Sequence, residues 1–107
     1  MPVKQLSATG LKAKIEQQEN LFLLDVREPF EFSFCRIEGS VSIPLNQIPT
    51  RLTEIDFDKE IVVICHHGIR SQQAANFLNQ VGFKDISNLS GGVDAWSLEC
   101  DSSMQRY

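Results

Sequence analysis

Five short, mainly apolar segments alternate along the chain with stretches that have a helical repeat of apolar positions. Segment 61–64 is Ile-Val-Val-Ile, which is β-branched and has no polar alternation. Such a pattern is typical of a strand covered on both faces of a sheet. The predicted strands are residues 3–6, 21–26, 40–43, 61–65 and 85–89.

Apolar residues at intervals of three and four predict helices between these strands. Ser7 is a suitable N-cap for a first helix to about residue 19, with Ala8, Leu11 and Ile15 facing inward. Ser71 is the predicted N-cap of a later helix. The predicted helices are residues 7–19, 29–34, 47–55, 71–81 and 93–98, the last with Trp96 as a core anchor.

This alternation predicts an α/β fold with a mainly parallel five-stranded sheet flanked by helices and joined by right-handed crossovers. The carboxyl ends of the strands then share one edge, where ligands bind in such sheets. Cys65 ends one strand and faces the start of the next helix. Asp25 lies near the end of another strand, where it can accept hydrogen bonds from loop amides.

The polar loop after Cys65 predicts a reactive thiol. A short loop between strand and helix turns backbone N–H groups inward, and the helix N-terminus adds partial positive charge. Both features stabilise a thiolate, which is the nucleophilic form of cysteine. Gly68 permits the tight turn, and Arg70 adds a positive charge at the rim.

Two other interpretations of Cys65 need consideration. A cysteine at the end of an apolar strand is usually an inert core residue, but a core residue does not need a polar loop behind it. Cys65, His66 and His67 could form a metal site, but adjacent residues rarely point at one ion and no second ligand cluster is present. We therefore predict no metal and favour the nucleophile.

Four segments carry a family resemblance. The loop Cys-His-His-Gly-Ile-Arg-Ser at 65–71 resembles the active-site loop of the rhodanese family, whose members carry a persulfide on the loop cysteine. Leu-Leu-Asp-Val-Arg-Glu at 23–28, the stretch 31–44 and Gly-Gly-Val-Asp-Ala-Trp at 91–96 resemble three further family motifs in the same order. The resemblance implies one rhodanese-like three-layer domain over residues 1–107. The active-site loop that it implies comprises Cys65, His66, His67, Gly68, Ile69, Arg70 and Ser71.

The family's chemistry implies a sulfurtransferase that needs no cofactor. The lack of a membrane-spanning apolar run and of a signal-peptide core predicts a cytoplasmic protein. Cys65 would take a sulfane sulfur from thiosulfate, a small anionic donor, or from a persulfide donor. A cyanide or thiol acceptor, the latter thioredoxin or another protein, would then remove it. Two alternatives stay open. One is a phosphatase or arsenate reductase of the related cysteine-loop type, and the other is a non-catalytic sulfur carrier or partner-binding module.

The chain departs from the family pattern at two places. His66 and His67 stand where efficient thiosulfate users often have cationic residues, so substrate attraction is expected to be weaker and pH-dependent. Both imidazoles are expected to gain positive charge at the pocket rim as the pH falls. In the second motif, Cys35 and Arg36 replace the usual Gly-His, which leaves the local backbone geometry open.

Asp25 and Arg27 are predicted to support the site. Because a buried arginine needs a partner, Arg27 is expected to pair with a carboxylate such as Asp25 or Glu31 rather than to contact substrate.

Composition narrows the classes of function. A length of 107 residues with 42% hydrophobic content fits one globular domain. A net charge of −4 and a pI near 5.0 argue against nucleic acid or an anionic membrane as main partner.

The N-terminal residues lack the apolar core of a signal peptide. Three widely spaced cysteines predict no disulfide framework, and the polar tail at 100–107 is expected to fray.

Overall fold

Five parallel strands form a sheet at the centre of the fold, and they lie side by side in the order 4–6, 86–89, 60–64, 21–25 and 41–42. The computed structural model describes residues 3–107. Met1 and Pro2, which belong to the N-terminal segment predicted to lack a signal-peptide core, lie outside the described residues. The strands are β1 (Lys4–Leu6), β2 (Leu21–Asp25), β3 (Val41–Ser42), β4 (Glu60–Ile64) and β5 (Ile86–Leu89). The predicted parallel α/β sheet is confirmed.

Helices connect successive strands, as the parallel sheet requires. They are α1 (Ala8–Glu16), α2 (Pro29–Phe34), α3 (Ile69–Gln80) and α4 (Gly92–Glu99), with 3₁₀ segments at Leu45–Thr50 and Leu52–Glu54. Ser7 caps α1 as predicted, because its Oγ accepts a hydrogen bond from the Gly10 amide at 3.0 Å. Across the described range, every helix is too short or too polar to span a lipid bilayer.

Both faces of the sheet are covered. On β4, Ile61 and Val63 pack into one apolar cluster with Leu78 of α3. Val62 lies in the opposite cluster, together with Trp96 of α4. Alternate residues of β4 therefore face different cores, which explains the uninterrupted apolar run, and Trp96 is confirmed as a core residue.

Two predicted helices differ from the observed elements. The first ends at Glu16, because Gln18 adopts a left-handed φ of 58° that helical backbone does not allow, and Ile15 is 39% exposed instead of buried. The predicted helix over 47–55 is two short 3₁₀ segments. Pro49 has no amide proton to donate within an α-helix.

The C-terminal tail contacts the folded domain. Arg106 donates from Nε and Nη2 to Asp94 Oδ1 at 3.2 and 2.9 Å, and Tyr107 lies against α2 and the loop after Cys65. The sequence predicts fraying here, because a polar composition does not reveal contacts made with distant parts of the chain.

Candidate active site

Cys65 directly follows β4 at the carboxyl edge of the sheet, and only 1% of its surface is exposed. Its Sγ accepts a hydrogen bond from the Gly68 amide at 3.0 Å. Gly68 has a left-handed φ of 105° and is the N-cap of α3. This backbone conformation favours glycine, and it allows the loop to turn back on the sulfur before the helix begins.

Ser71 is not the N-cap that the sequence predicted. Because the left-handed Gly68 starts α3 at Ile69, Ser71 is the third residue of that helix and fully buried. The Cys65 thiol donates to Ser71 Oγ at 3.3 Å, and the Ser71 hydroxyl donates to Asn88 Oδ1. When Cys65 ionises, the hydroxyl can rotate and donate to the sulfur instead.

Asn88 was not predicted as part of the site. It lies on β5 opposite Val63 of β4, and its Nδ2 donates to the Gly68 carbonyl at 3.2 Å. An amide side chain within a buried strand needs polar partners. The position of Asn88 within an apolar strand could therefore have indicated that it belongs to a polar site.

The first amides of α4 hold the other side of the loop. Val93 N donates to the Cys65 carbonyl at 2.9 Å, and Asp94 N donates to the His66 carbonyl at 3.1 Å. Gly92 lies so close that a Cβ atom would collide with both carbonyl oxygens. The glycine pair of the last motif therefore lets α4 approach the active-site loop directly.

Arg70 forms a two-point ion pair with a carboxylate that is nearly buried. Its Nη1 and Nη2 donate to Glu31 Oε1 and Oε2 at 2.7 and 2.9 Å. The Arg70 hydrogen bonds outweigh burial and, with a hydrogen bond from Tyr107, lower the pKa of Glu31 to about 2. Glu31 therefore offsets the positive charge that the sequence predicts for Arg70 at the rim.

Arg27 and Asp25 form a second, fully buried pair. Arg27 Nη2 lies 2.7 Å from Asp25 Oδ2, and the Arg27 amide donates to Asp25 Oδ1 at 3.0 Å. The predicted pairing of Arg27 with a carboxylate is confirmed. Arg27 Nη2 also donates to the Cys35 carbonyl at 2.6 Å. Cys35, one of the two residues that depart from the second family motif, therefore contacts this ion pair.

The two histidines have different environments. The His66 ring is stacked between His67 and Tyr107, with centroid distances of 3.9 and 3.8 Å. Burial lowers the pKa of His66, and the neighbouring His67 lowers it further. His66 therefore gains its proton at a lower pH than an ordinary imidazole, which weakens the expectation that both imidazoles add positive charge as the pH falls. The His67 side chain is 58% exposed.

One group in this region has metal-ligating atoms close together. One such atom from each of His66, His67 and Asp94 lies within 4.8 Å of the others. The imidazole planes are only 27° apart and stacked 3.9 Å from each other, so their lone pairs lie in separate, nearly parallel planes and are poorly placed to meet at one ion. Asp94 Oδ1 also accepts two hydrogen bonds from the Arg106 guanidinium. This geometry does not fit a preformed metal site.

Cavities border the site on the α2 side. One of about 500 Å³ reaches Arg70, and one of about 230 Å³ is lined by Phe30, Glu31, Phe34 and Tyr107. Ile69, which precedes Arg70 in the chain, is 75% exposed. A further cavity of about 460 Å³ beside Trp96 and Cys100 contains none of the predicted site residues.

Comparison with known proteins gives a consistent result. Residues 7–99 match the family model described as the rhodanese-like domain. YtwF of Bacillus subtilis (strain 168), provisionally named a sulfurtransferase, is 41% identical over 99 residues, covering 92% of this chain and 95% of that protein. Thiosulfate sulfurtransferase GlpE of Pseudoalteromonas translucida is 32% identical over 89 residues, covering 83% and 85%. The crystal structure of a rhodanese-related protein from Thermoplasma volcanium is 35% identical, with a TM-score of 0.81 and coverage of 91% and 93%.

Proposed function

The chain belongs to the rhodanese-like domain family, and from that membership we propose that it is a sulfurtransferase acting through a persulfide on Cys65. The sulfur donor is thiosulfate or a persulfide, and the acceptor is cyanide or a thiol. The observation that carries the proposal is the 3.0 Å hydrogen bond from the Gly68 amide to Cys65 Sγ, at the N-terminus of a twelve-residue helix.

In the first half-reaction the Cys65 thiolate attacks the outer sulfur of thiosulfate. A sulfur–sulfur bond forms to Cys65 as the bond to the sulfonate breaks, and sulfite leaves with the electron pair. The product carries its negative charge on the new terminal sulfur. The Gly68 amide and the positive end of α3 lie on that side of the loop and favour an anion there.

In the second half-reaction an acceptor nucleophile removes the terminal sulfur. Cyanide would leave as thiocyanate, and a thiolate would become a persulfide, while Cys65 returns to a thiolate in both cases. The charge balances in each step without an added oxidant or reductant, so no cofactor is needed. A protein with an accessible thiol, such as thioredoxin, fits the acceptor role as well as a small thiol does.

Mass spectrometry of the intact protein tests the proposal. After incubation with thiosulfate the protein should gain the mass of one sulfur atom, and peptide mapping should place it on Cys65. Addition of cyanide should remove the label and release one thiocyanate for each sulfur. C65S should show neither change, because serine is not a comparable nucleophile towards sulfur.

C100S is the matched control, since Cys100 is half-buried and distant in sequence from the loop. It should take up and release sulfur like the native protein. Labelling of Cys35 or Cys100 instead of Cys65 would contradict the mechanism. A persulfide that forms but passes to no small acceptor would favour a sulfur carrier for a partner protein, and a protein that takes up no sulfur would favour a partner-binding module.

A further inference from the structure

Tyr107 joins three segments of the chain around the active-site loop. Its ring stacks on His66 at a centroid distance of 3.8 Å and an interplanar angle of 12°. The edge-to-face contact with Phe34 of α2 has a centroid distance of 5.7 Å. No sequence pattern predicts these contacts, because Tyr107 is 41 positions beyond His66.

The Tyr107 hydroxyl connects the two ion pairs of the site. It accepts a hydrogen bond from Arg27 Nη1 at 2.9 Å and donates one to Glu31 Oε2 at 2.7 Å. Burial raises the pKa of Tyr107 to about 12, so the phenol keeps its proton and remains a donor to Glu31. A continuous chain of charge-assisted hydrogen bonds therefore runs from Asp25 to Arg70.

Through these contacts Tyr107 reaches both ends of the loop around the Cys65 sulfur. His66, on which its ring stacks, follows Cys65 directly, and Arg70, which it reaches through Glu31, closes the loop at the start of α3. The amide that donates to Sγ belongs to Gly68, midway between those two points.

We propose that Tyr107 is a positioning residue that holds the Cys65 loop in its thiolate-stabilising conformation. The inference rests on the proposed role of Cys65 as nucleophile. Loss of the ring would remove the stacking contact with His66 and make the loop more mobile. The hydrogen bond from the Gly68 amide to Cys65 Sγ would then be formed for a smaller fraction of the time. Loss of the hydroxyl would leave Glu31 with fewer donors and draw it more strongly onto Arg70, reducing the positive field of Arg70 at Cys65. Both effects disfavour the thiolate.

The test measures the rate of Cys65 alkylation by iodoacetamide as a function of pH in the full chain, with Cys65 identified by peptide mapping. Arg70 is the charged group whose field reaches the sulfur, with Glu31 and Tyr107 beside it. His66, which follows Cys65 in the chain, is surrounded by His67, Tyr107 and Asp94. At neutral pH we expect the rate to fall about threefold in Y107F and about tenfold in Y107A, with the pH profile displaced to higher pH. Q105A, in the exposed part of the tail, is the matched control and should leave the profile unchanged.

A second readout follows the His66 ring by NMR. In Y107A the lowered pKa of His66 should rise towards its ordinary value, because the stacked ring no longer excludes water. Y107F should keep most of that shift, since the ring remains. A folded Y107A with the native alkylation profile would overturn the proposal, even if its melting temperature fell. Should Y107A not fold, an unchanged profile in Y107F would overturn it equally.

Alkylation does not depend on sulfur transfer. If C65S took up sulfur from thiosulfate as the native protein does, the proposed function would be wrong. The alkylation rates of the Tyr107 variants would still show whether Tyr107 affects the reactivity of Cys65. If Cys65 takes up sulfur but the Tyr107 variants alkylate normally, the proposed function stands and only the role of Tyr107 is wrong.

Discussion

The guanidinium of Arg70 and the carboxylate of Glu31 meet at two points, 2.7 and 2.9 Å apart, across 39 positions of the chain. Glu31 is 6% exposed whereas the Arg70 side chain is 35% exposed, so the carboxylate is shielded from water and salt but the guanidinium only partly. This contact fixes the end of the active-site loop to α2, which makes Glu31 part of the site although it lies far from Cys65 in the sequence.

The first prediction concerns stability and pH. Glu31 has a pKa of about 2 in the folded protein, below its ordinary value of 4.5. A lowered carboxyl pKa contributes stability that is complete above the ordinary value and is lost as the pH falls through the folded value. The contribution is on the order of 2 kcal/mol. We expect E31Q to lower the free energy of unfolding at neutral pH and to differ less from the native protein at about pH 3.

Urea unfolding at the two pH values measures this difference. The matched control is E38Q, which removes an exposed carboxylate and should change the free energy of unfolding little at either pH. An E31Q variant as stable as the native protein at neutral pH would show that the ion pair only balances the cost of burying its charges.

The second prediction concerns the Ser71 hydroxyl. In S71A the Cys65 sulfur loses a hydrogen-bond partner at 3.3 Å, and the Asn88 amide oxygen loses its donor. A buried acceptor without a donor costs about 1–3 kcal/mol. We expect a lower melting temperature together with slower alkylation of Cys65 at neutral pH, because a thiolate without this donor is less stable. The control is S87A, a buried serine on β5 outside the site. Normal alkylation in S71A would show that the hydroxyl has only a packing role.

The active-site loop could be predicted because its residues are contiguous. A strand end, a glycine and a helix start within seven positions determine most of its geometry locally, and the apolar runs predict the sheet. Ser71 was assigned wrongly as N-cap because serine is common there, whereas a glycine with positive φ began the helix earlier.

Residues brought in by tertiary contacts were much harder to predict. Asn88 carried a signal, because a polar side chain in a buried strand needs partners. Glu31 was considered only as a partner of Arg27, and its pairing with Arg70 depends on how α2 packs against α3. Tyr107 carried no signal, since no local pattern links the chain's single tyrosine to a loop about forty positions earlier.

The third prediction concerns the close approach of α4. In G92A the new methyl group would collide with the carbonyl oxygens of Cys65 and His66, and alanine would also have to adopt a φ of 58°. We expect the free energy of unfolding to fall by roughly 2–4 kcal/mol and persulfide formation to fall with it, because the loop must move. Circular dichroism with urea titration and the thiosulfate mass assay measure the two effects.

G39A separates the collision from backbone strain. Gly39 has a φ of 88°, but no atom lies within 4 Å of the position that its Cβ would take. This variant should lose only about 1 kcal/mol and should form the persulfide normally. If G39A and G92A lost the same stability and both retained activity, the contact between α4 and the loop would have no functional role.

The last prediction separates sulfur transfer from phosphoryl transfer. Four residues stand between Cys65 and Arg70, whereas cysteine phosphatases place one more residue in this loop. A phosphoryl group presents three equatorial oxygens that need donors around a wide ring, while a persulfide adds a single atom. Within the described residues, Gly68 supplies the one loop amide that donates to Sγ, and Arg70 is committed to Glu31.

We therefore expect no measurable hydrolysis of p-nitrophenyl phosphate or 3-O-methylfluorescein phosphate and little inhibition by vanadate. E31Q is an informative control: it frees Arg70 without lengthening the loop, so it should remain inactive towards phosphate esters if loop size is decisive. Insertion of one glycine after His67 should widen the ring and weaken sulfur transfer, because the donors move away from the sulfur. Binding of phosphate or arsenate by that insertion variant would show that the native loop excludes them by size. Phosphatase activity of the native protein that disappears in C65S would instead assign the site to phosphoryl transfer.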